Sequence, residues 1–457
     1  MKKLFGTDGM RGEAGKFPLD ADTIETIGIS LATHLKEKLG RAPLIVIGRD
    51  TRESGEWIEQ ALLAGAIKAG AETQSAGVIT TPGVAFLART LPADAGVVIS
   101  ASHNAYRDNG IKIFAPSGWK LDEETERLIE SDVFSQRAPS STDASQSFTT
   151  GKIQTADSAD LRARYLDFLA NEISRGMSLA RVRLVLDCAN GAASDIAPEL
   201  FQRLGANVAV INNTPDGRNI NLESGSLHTE ALQAEVVKQN ADLGVAFDGD
   251  ADRALFVDAQ GRLVNGDATL FVLAQYLQSH QALHDDTVVA TVMSNIGLEL
   301  ALQSQGIRLI RTDVGDKYVL EELLRLGASL GGEQSGHIIF PALSLAGDGL
   351  ITTLSILRAM TESAKALHEL TEGFQTFPQI LVNVAVKTKQ PFAEVPAIQS
   401  TAREIESKLG SRGRLLLRYS GTEPLARVMI EGKSQAEIER HARNLASVIE
   451  ATLGARD

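Results

Sequence analysis

Cysteine is almost absent from this 457-residue chain: Cys188 stands alone, so no internal disulfide can form and a reducing compartment is expected. Its setting, Leu184-Val-Leu-Asp-Cys188, predicts a buried strand residue rather than a reactive thiol. Basic residues are also in deficit. Lys and Arg total 45 against 58 Asp and Glu, and the net charge of -13 argues against a nucleic-acid surface or an anionic membrane as partner. A small anionic substrate would need its cationic contacts concentrated in one place. No apolar run approaches membrane-spanning length. The Met-Lys-Lys start is like the charged end of a signal peptide, but Asp8 and Arg11 arrive before any apolar core. Aromatics are scarce at 5%, while 43% hydrophobic and 23% charged residues are the balance of a soluble globular protein, expected in the cytoplasm.

A chain of this length exceeds one ordinary core and predicts two to four domains. A loose repeat organises its first three quarters. Leu44 to Gly48 reads as a buried strand, followed by a helix from Trp57 to Lys68 and a strand from Ala76 to Ile79. Arg183 to Asp187, a helix from Ser194 to Leu204 and Asn207 to Ile211 repeat the pattern. So do Thr287 to Val292, a helix from Gly297 to Gln305 and Ile307 to Ile310. Each is a βαβ unit whose helix stops at glycine (Gly70, Gly205 and Gly306), so helix-covered parallel or mixed sheets are expected. The Ser-, Thr- and Gln-rich stretch from Ala138 to Asp160 reads as a linker. After Glu372 the pattern changes to strands at Ile380 to Val386 and Arg414 to Leu417, with an amphipathic helix from Ala436 to Leu453. That is a smaller α+β domain.

Each repeat leads into a polar, glycine-containing loop: Ser100 to Gly110, Phe247 to Arg253 and Gly331 to His337. The second carries the strongest signal, Asp248-Gly-Asp250-Ala-Asp252-Arg253, three carboxylates at alternate positions closed by an arginine. Such hard oxygen ligands suit a divalent cation of the magnesium type, and they follow a buried strand, Leu243 to Phe247, where ligands gather in α/β folds. An acidic surface turn is the plain alternative. A calcium helix-loop-helix site is excluded, since its sixth position should be Gly but is Arg253 and its twelfth should be Glu but is Ala259.

The first loop exposes Ser102 at the end of strand Gly96 to Ser100, beside His103. No Gly-x-Ser-x-Gly elbow surrounds it, so a nucleophile or phosphate carrier and a polar turn both remain open. The third loop offers Glu333, Gln334, Ser335 and His337 between glycines, an assortment suited to the hydroxyl and amine groups of a sugar. Near the C-terminus, Arg418, Ser420, Gly421 and Thr422, with Arg427, make a phosphate cradle or a solvated turn.

Together these residues resemble the α-D-phosphohexomutases. Phe5-Gly-Thr-Asp-Gly-Met-Arg-Gly12 is similar to that family's opening signature, and Ser100-Ala-Ser-His-Asn104 to its phosphoserine loop. Asp248 to Arg253 resembles its metal loop, Gly332 to His337 its sugar loop, and Arg418 to Pro424 its phosphate loop. The five motifs span the chain in the family's order. Two positions depart from the pattern: Asn104 is followed by Ala105 where proline is usual, which predicts a less rigid loop, and Met10 replaces isoleucine.

The resemblance implies an α/β fold of three similar βαβ-type domains with mixed sheets and a smaller C-terminal α+β domain around a central cleft. The implied division is 1–150 for the phosphoserine loop, 151–253 for the metal loop, 254–372 for sugar recognition and 373–457 for phosphate binding. It also implies that Ser102 is phosphorylated and shares one Mg²⁺ with Asp248, Asp250 and Asp252. Arg253 would contact the transferring phosphoryl group, Lys112 and His337 would handle protons, and the backbone at Gly315 would approach the sugar. The activity implied is intramolecular phosphoryl transfer through a sugar bisphosphate. Gln334 within Glu333 to Ser335 resembles glucosamine-specific members, so the expected pair is glucosamine 6-phosphate and glucosamine 1-phosphate, with glucosamine 1,6-bisphosphate between them. A neutral-hexose mutase is the alternative. A homodimer is implied as well. A phosphatase or a non-catalytic sensor using the same loops is disfavoured, because Ser102 and all three aspartates are present.

Overall fold

The computed structural model describes residues 3–6, 9–136, 158–420 and 423–454. They form four sheets, one after another along the chain. In the first, strands run in the order Phe5–Gly6, Gly9–Glu13, Asp108–Phe114, Ala95–Ile99, Leu44–Arg49, Glu72–Val78. The second runs Leu263–Val264, Ala254–Asp258, Leu243–Phe247, Arg183–Asp187, Asn207–Ile211. The third is Arg308–Thr312, Thr287–Thr291, Gly331–Gly332, Ile338–Ile339, and the last is an antiparallel trio, Gln379–Ala385, Leu425–Glu431, Arg414–Tyr419.

The repeat is real at the level of topology. Each of the first three sheets holds three mutually parallel strands and then one that returns antiparallel beside the third. The three polar loops fill the same place in all of them, between the last parallel strand and its antiparallel return. The glycine helix stops are present too: Gly70, Gly205 and Gly306 have φ of 89°, 88° and 75°, a region that L residues enter at a cost. The fold is therefore three mixed-sheet α/β units and a small C-terminal α+β unit.

Three expectations need correction. The second sheet continues to Val264, past the expected boundary at 253, because the metal loop is the turn of a hairpin whose return strand Ala254–Asp258 pairs with Leu243–Phe247. The first polar loop ends before Asp108, since residues 108–110 pair with Gly9–Glu13 as strand. The expected linker ends earlier as well: its last residues start the helix Ser158–Asp167, while 137–157 lie outside the described residues.

Apolar faces meet as the strand patterns require. Leu243–Phe247 and Ala254–Asp258 are buried at every position, as expected for strands covered on both faces. Cys188 is fully buried just beyond the strand Arg183–Asp187, and burial pushes its thiol up, so it stays protonated. The link to the C-terminal unit is pinned at the start of one helix. Asn295 caps the helix Ile296–Ser304, and its side-chain amide both accepts from Phe377 N (2.9 Å) and donates to Phe377 O (3.0 Å). Glu431, buried in the last sheet, accepts from Ile296 N at 3.0 Å and pairs with Arg414 at 3.0 Å. Among the described residues, no helix is long and apolar enough to cross a membrane.

Candidate active site

Ser102 lies beyond the end of Ala95–Ile99 in a tight turn, with φ of 51° and only 1% exposure. Its hydroxyl donates to Asp248 Oδ2 at 2.5 Å and lies 3.3 Å from His103 Nδ1. The serine loop of the first unit thus meets the metal loop of the second. Gly249 makes the approach possible: a Cβ there would lie 2.6 Å from Ser102 O and 2.8 Å from Asn221 Nδ2. The metal loop is also tied to the N-terminus of helix Thr81–Thr90, where Thr81 N donates to Asp250 O (3.0 Å) and Thr81 Oγ1 to Asp250 Oδ2 (2.5 Å).

Asp248, Asp250 and Asp252 are all buried, and each offers an oxygen within 4.8 Å of the others. Lys112, from the strand Asp108–Phe114, is 2% exposed and not a solvated strand charge. Its Nζ lies 3.0 Å from Asp250 Oδ2 and 3.3 Å from Asp252 Oδ2. Burial pushes Asp248 well above the usual carboxylate range, and the neighbouring charges of Asp252 and Asp250 add to it. Burial acts the same way on Asp252, but Lys112, His337 and Arg253 outweigh it and hold that carboxyl well below its usual range. His337 sits 3.6 Å from Asp252 Oδ1. Burial opposes its charge, yet Asp252, Asp316 and Glu333 raise it to about 9. His103 goes the other way, to about 4, through burial and the charges of Arg253 and Arg11.

The residues accept a hard divalent cation. Asp250 Oδ1 and Asp252 Oδ1 are buried without hydrogen-bond partners, and three carboxylates this close require a positive centre or protonation. Asp248, Asp250 and Asp252 would hold it, with Ser102 at the edge of the set.

Beside this cluster opens a cavity of about 470 Å³, lined by Arg11, His103, Asp252, Arg253, Gly315, Asp316, Glu333 and His337 among others. Glu333 Oε1 accepts from Gly315 N at 3.3 Å, so two expected sugar contacts touch. Arg253 Nε lies 3.7 Å from Asp252 Oδ1. Gln334 turns elsewhere: its amide donates to Asp267 Oδ2 at 3.1 Å, and it is not among the residues lining the cavity. Ser335 Oγ is buried without a partner. Arg418 and Arg427 stand on the last sheet, with Ser420 just past its strand Arg414–Tyr419, and none of them lines the cavity, although Asp313, just before Gly315, is the opposite charge acting on Arg418. Arg427 Nη2 reaches Ser420 Oγ at 3.4 Å; Gly421 and Thr422 lie outside the described residues.

Sequence reasoning missed Arg52, Asn221, Thr81 and the cavity-lining Arg11 as parts of the site. For two of them a signal existed. Gly48-Arg-Asp-Thr-Arg52 leaves the carboxyl end of a strand, and Thr80-Thr81-Pro82 is a helix-start signature following another.

The comparisons agree along the whole chain. Residues 2–140, 163–261, 265–377 and 381–448 match the phosphoglucomutase/phosphomannomutase α/β/α domains I, II and III and C-terminal domain, respectively. A phosphoglucosamine mutase from Solibacter usitatus is 49% identical, covering 99% of each chain. A crystal structure of a phosphoglucomutase/phosphomannomutase family protein from Burkholderia thailandensis superposes with a TM-score of 0.78 at 24% identity, covering 99% of this chain and 98% of that one. Aspergillus fumigatus N-acetylphosphoglucosamine mutase, solved with GlcNAc-6P and magnesium, has a TM-score of 0.65 at 18% identity, covering 98% and 95%. With its four domains matched in order along the chain, the protein belongs to the phosphoglucomutase/phosphomannomutase family and is a phosphohexomutase.

Proposed function

We propose that the protein interconverts glucosamine 6-phosphate and glucosamine 1-phosphate through phosphorylated Ser102, supplying amino-sugar precursors of the cell envelope. One observation carries the reading: the Ser102 hydroxyl is hydrogen-bonded to Asp248 within a buried cluster of three carboxylates. Ser102 is the phosphocarrier. Its phosphoryl group passes to the free hydroxyl of the sugar monophosphate, giving glucosamine 1,6-bisphosphate. That molecule turns over in the cleft and returns its other phosphoryl group to Ser102.

Magnesium bound by Asp248, Asp250, Asp252 and the phosphoserine would withdraw charge from the transferring phosphoryl group. The protein's own residues do the rest. Arg253 faces the cavity beside Asp252 and contacts the phosphoryl oxygens. Lys112 and His337, on either side of Asp252, handle the protons of the attacking and leaving hydroxyls. Glu333 and the backbone at Gly315 hold the sugar, and Glu333 pairs with the 2-ammonium group, a charge-assisted contact that glucose lacks. Arg418, Ser420, Gly421, Thr422 and Arg427 hold the phosphate that is not reacting. Since the described members of that cradle stand off the cavity wall, the C-terminal unit swings inward to deliver it and to exclude water. The same reading places the protein in the cytoplasm as a homodimer, whose mass analytical ultracentrifugation reads directly.

The test is turnover of magnesium-loaded, Ser102-phosphorylated protein on glucosamine, glucose and mannose 6-phosphates, followed by phosphorus NMR. The expected result is a kcat/KM preference for the amino sugar, with Ser102→Ala inactive. Preference for a neutral hexose would overturn the substrate, and full turnover by Ser102→Ala would overturn the phosphocarrier.

A further inference from the structure

The turn that carries Ser102 is gripped from behind by a guanidinium out of reach of solvent. Arg52 is 1% exposed, and its Nε pairs with Asp50 Oδ2 at 2.9 Å, both side chains being fully buried. The other two nitrogens do not serve the core. Nη2 donates to Ser102 O and to Asn104 O, each at 2.9 Å, and Nη1 to Ala105 O at 2.6 Å. Asp50 reaches the preceding peptide group as well. Its Oδ2 accepts from Ser100 Oγ at 2.6 Å, and that oxygen accepts the N–H of Ser102 at 2.9 Å. The N–H and the C=O of Ser102 therefore both trace back to one buried ion pair. From the second unit, Asn221 adds a donor, its Nδ2 lying 2.8 Å from Ser102 O and 3.1 Å from Asn104 O.

This grip has a conformation to hold. Ser102 has a φ of 51°, in the left-handed region that a serine leaves when nothing restrains it. Relaxing φ would re-aim the Cα–Cβ bond and carry Oγ away from Asp248. Ala105 is exposed and contributes its carbonyl to Arg52, but its φ is not fixed by a ring, so the turn is not stiffened from within. We propose that Arg52, seconded by Asn221, is a positioning residue that fixes the phosphocarrier serine in its reactive orientation through a guanidinium clamp on three carbonyls of the turn. Lysine cannot reproduce it, because an ammonium lacks the planar fork that spans carbonyls on both sides of the turn.

The inference rests on the reading of Ser102 as phosphocarrier, and the experiment separates the two. Magnesium-loaded, phosphorylated full-length protein is compared with Arg52→Lys and Asn221→Ala, each with and without Ala105→Pro. Turnover, KM, the folded fraction by circular dichroism and inorganic phosphate lost per mutase turnover are read together. Arg52→Lys is expected to lower kcat about tenfold or more and Asn221→Ala about threefold, with KM within about twofold, since misplacing a reacting group costs rate rather than binding. Phosphate loss per turnover rises in both, and Ala105→Pro restores about half of the lost log kcat by limiting the freedom of the turn. Asn221→Ala removes no buried charge, so it carries the test if Arg52→Lys fails to fold. Variants matching an active parent, or a kcat loss equal to the loss of folded protein and untouched by Ala105→Pro, overturn the inference. An inactive parent instead overturns the mutase reading.

Discussion

Gln334 donates its side-chain amide to Asp267 Oδ2 at 3.1 Å, and the same oxygen accepts the backbone N–H of Asn295 at 2.9 Å. The residue that most resembles a specificity mark in the sequence thus faces the scaffold, while Glu333 beside it faces the cavity. Gln334→Ala is expected to change kcat/KM for glucosamine and glucose 6-phosphates in parallel, leaving their ratio within about twofold. Glu333→Gln should cut that ratio about tenfold or more, as loss of a charge-assisted hydrogen bond does. Steady-state kinetics on both substrates decides; a collapsed ratio in Gln334→Ala alone would return selection to that residue.

Magnesium held by Asp248, Asp250 and Asp252 would have a stability effect readable without turnover. Magnesium at about 100 times its Kd should stabilise the protein by about 2.7 kcal/mol, and chelation should remove that gain. Asp250→Asn should lower the affinity, because the substituted amide weakens a ligand set built from three buried carboxylates. Differential scanning calorimetry with and without the ion checks both. An unshifted Tm in the parent protein would contradict the assignment.

Gly249 has no room for a side chain, since an added Cβ would meet Ser102 O at 2.6 Å. Gly249→Ala is expected to push the serine and metal loops apart and lower kcat about a hundredfold, the scale of a displacement near 1 Å. The change lies in the turn of a hairpin rather than within a strand or helix, so the Tm should fall by only a few degrees, about 1–2 kcal/mol in stability. Kinetics and a melting curve on the same preparation test the pair of outcomes.

Asp348 caps the helix Gly349–Ser363 and accepts from Tyr165 Oη at 2.7 Å. Burial raises its carboxyl to about 6, against the opposing hydrogen bonds of Ile351 N, Tyr165 and Leu350 N. A carboxyl raised in the folded state binds more protons there than in the unfolded chain, so its contribution is full below its unfolded pKa and fades as pH rises through about 6. Relative to the parent, Asp348→Asn should therefore gain up to about 3 kcal/mol between acidic and neutral pH. Urea unfolding at about pH 4 and about pH 7 measures it; a pH-independent difference would contradict the shift.

Much of the site was legible because its chemistry is local in sequence. Asp248, Asp250 and Asp252 crowd into five positions after an apolar strand, and Ser102 follows another. The strands Arg183–Asp187 and Asn207–Ile211 were legible to the residue, since apolar runs bounded by turn signals mark buried parallel strands. What stayed hidden is non-local. Arg52 and Asn221 meet the Ser102 loop across 50 and 119 residues, from polar segments whose hydropathy carries no hint of a partner. The boundary after Arg253 misled because a tight hairpin turn and an inter-domain loop have the same composition. The side-chain direction of Gln334 depends on Asp267, which lies 67 residues away in another element.

The two opposed hydrogen bonds between Asn295 and Phe377 share their junction with Glu431, which takes the Ile296 N–H, and with Arg414, which donates to Ser294 O at 3.0 Å. Moving the C-terminal sheet against the third unit therefore strains a buried carboxylate's hydrogen bond along with these, so the resistance to such a movement is concentrated at the start of one helix.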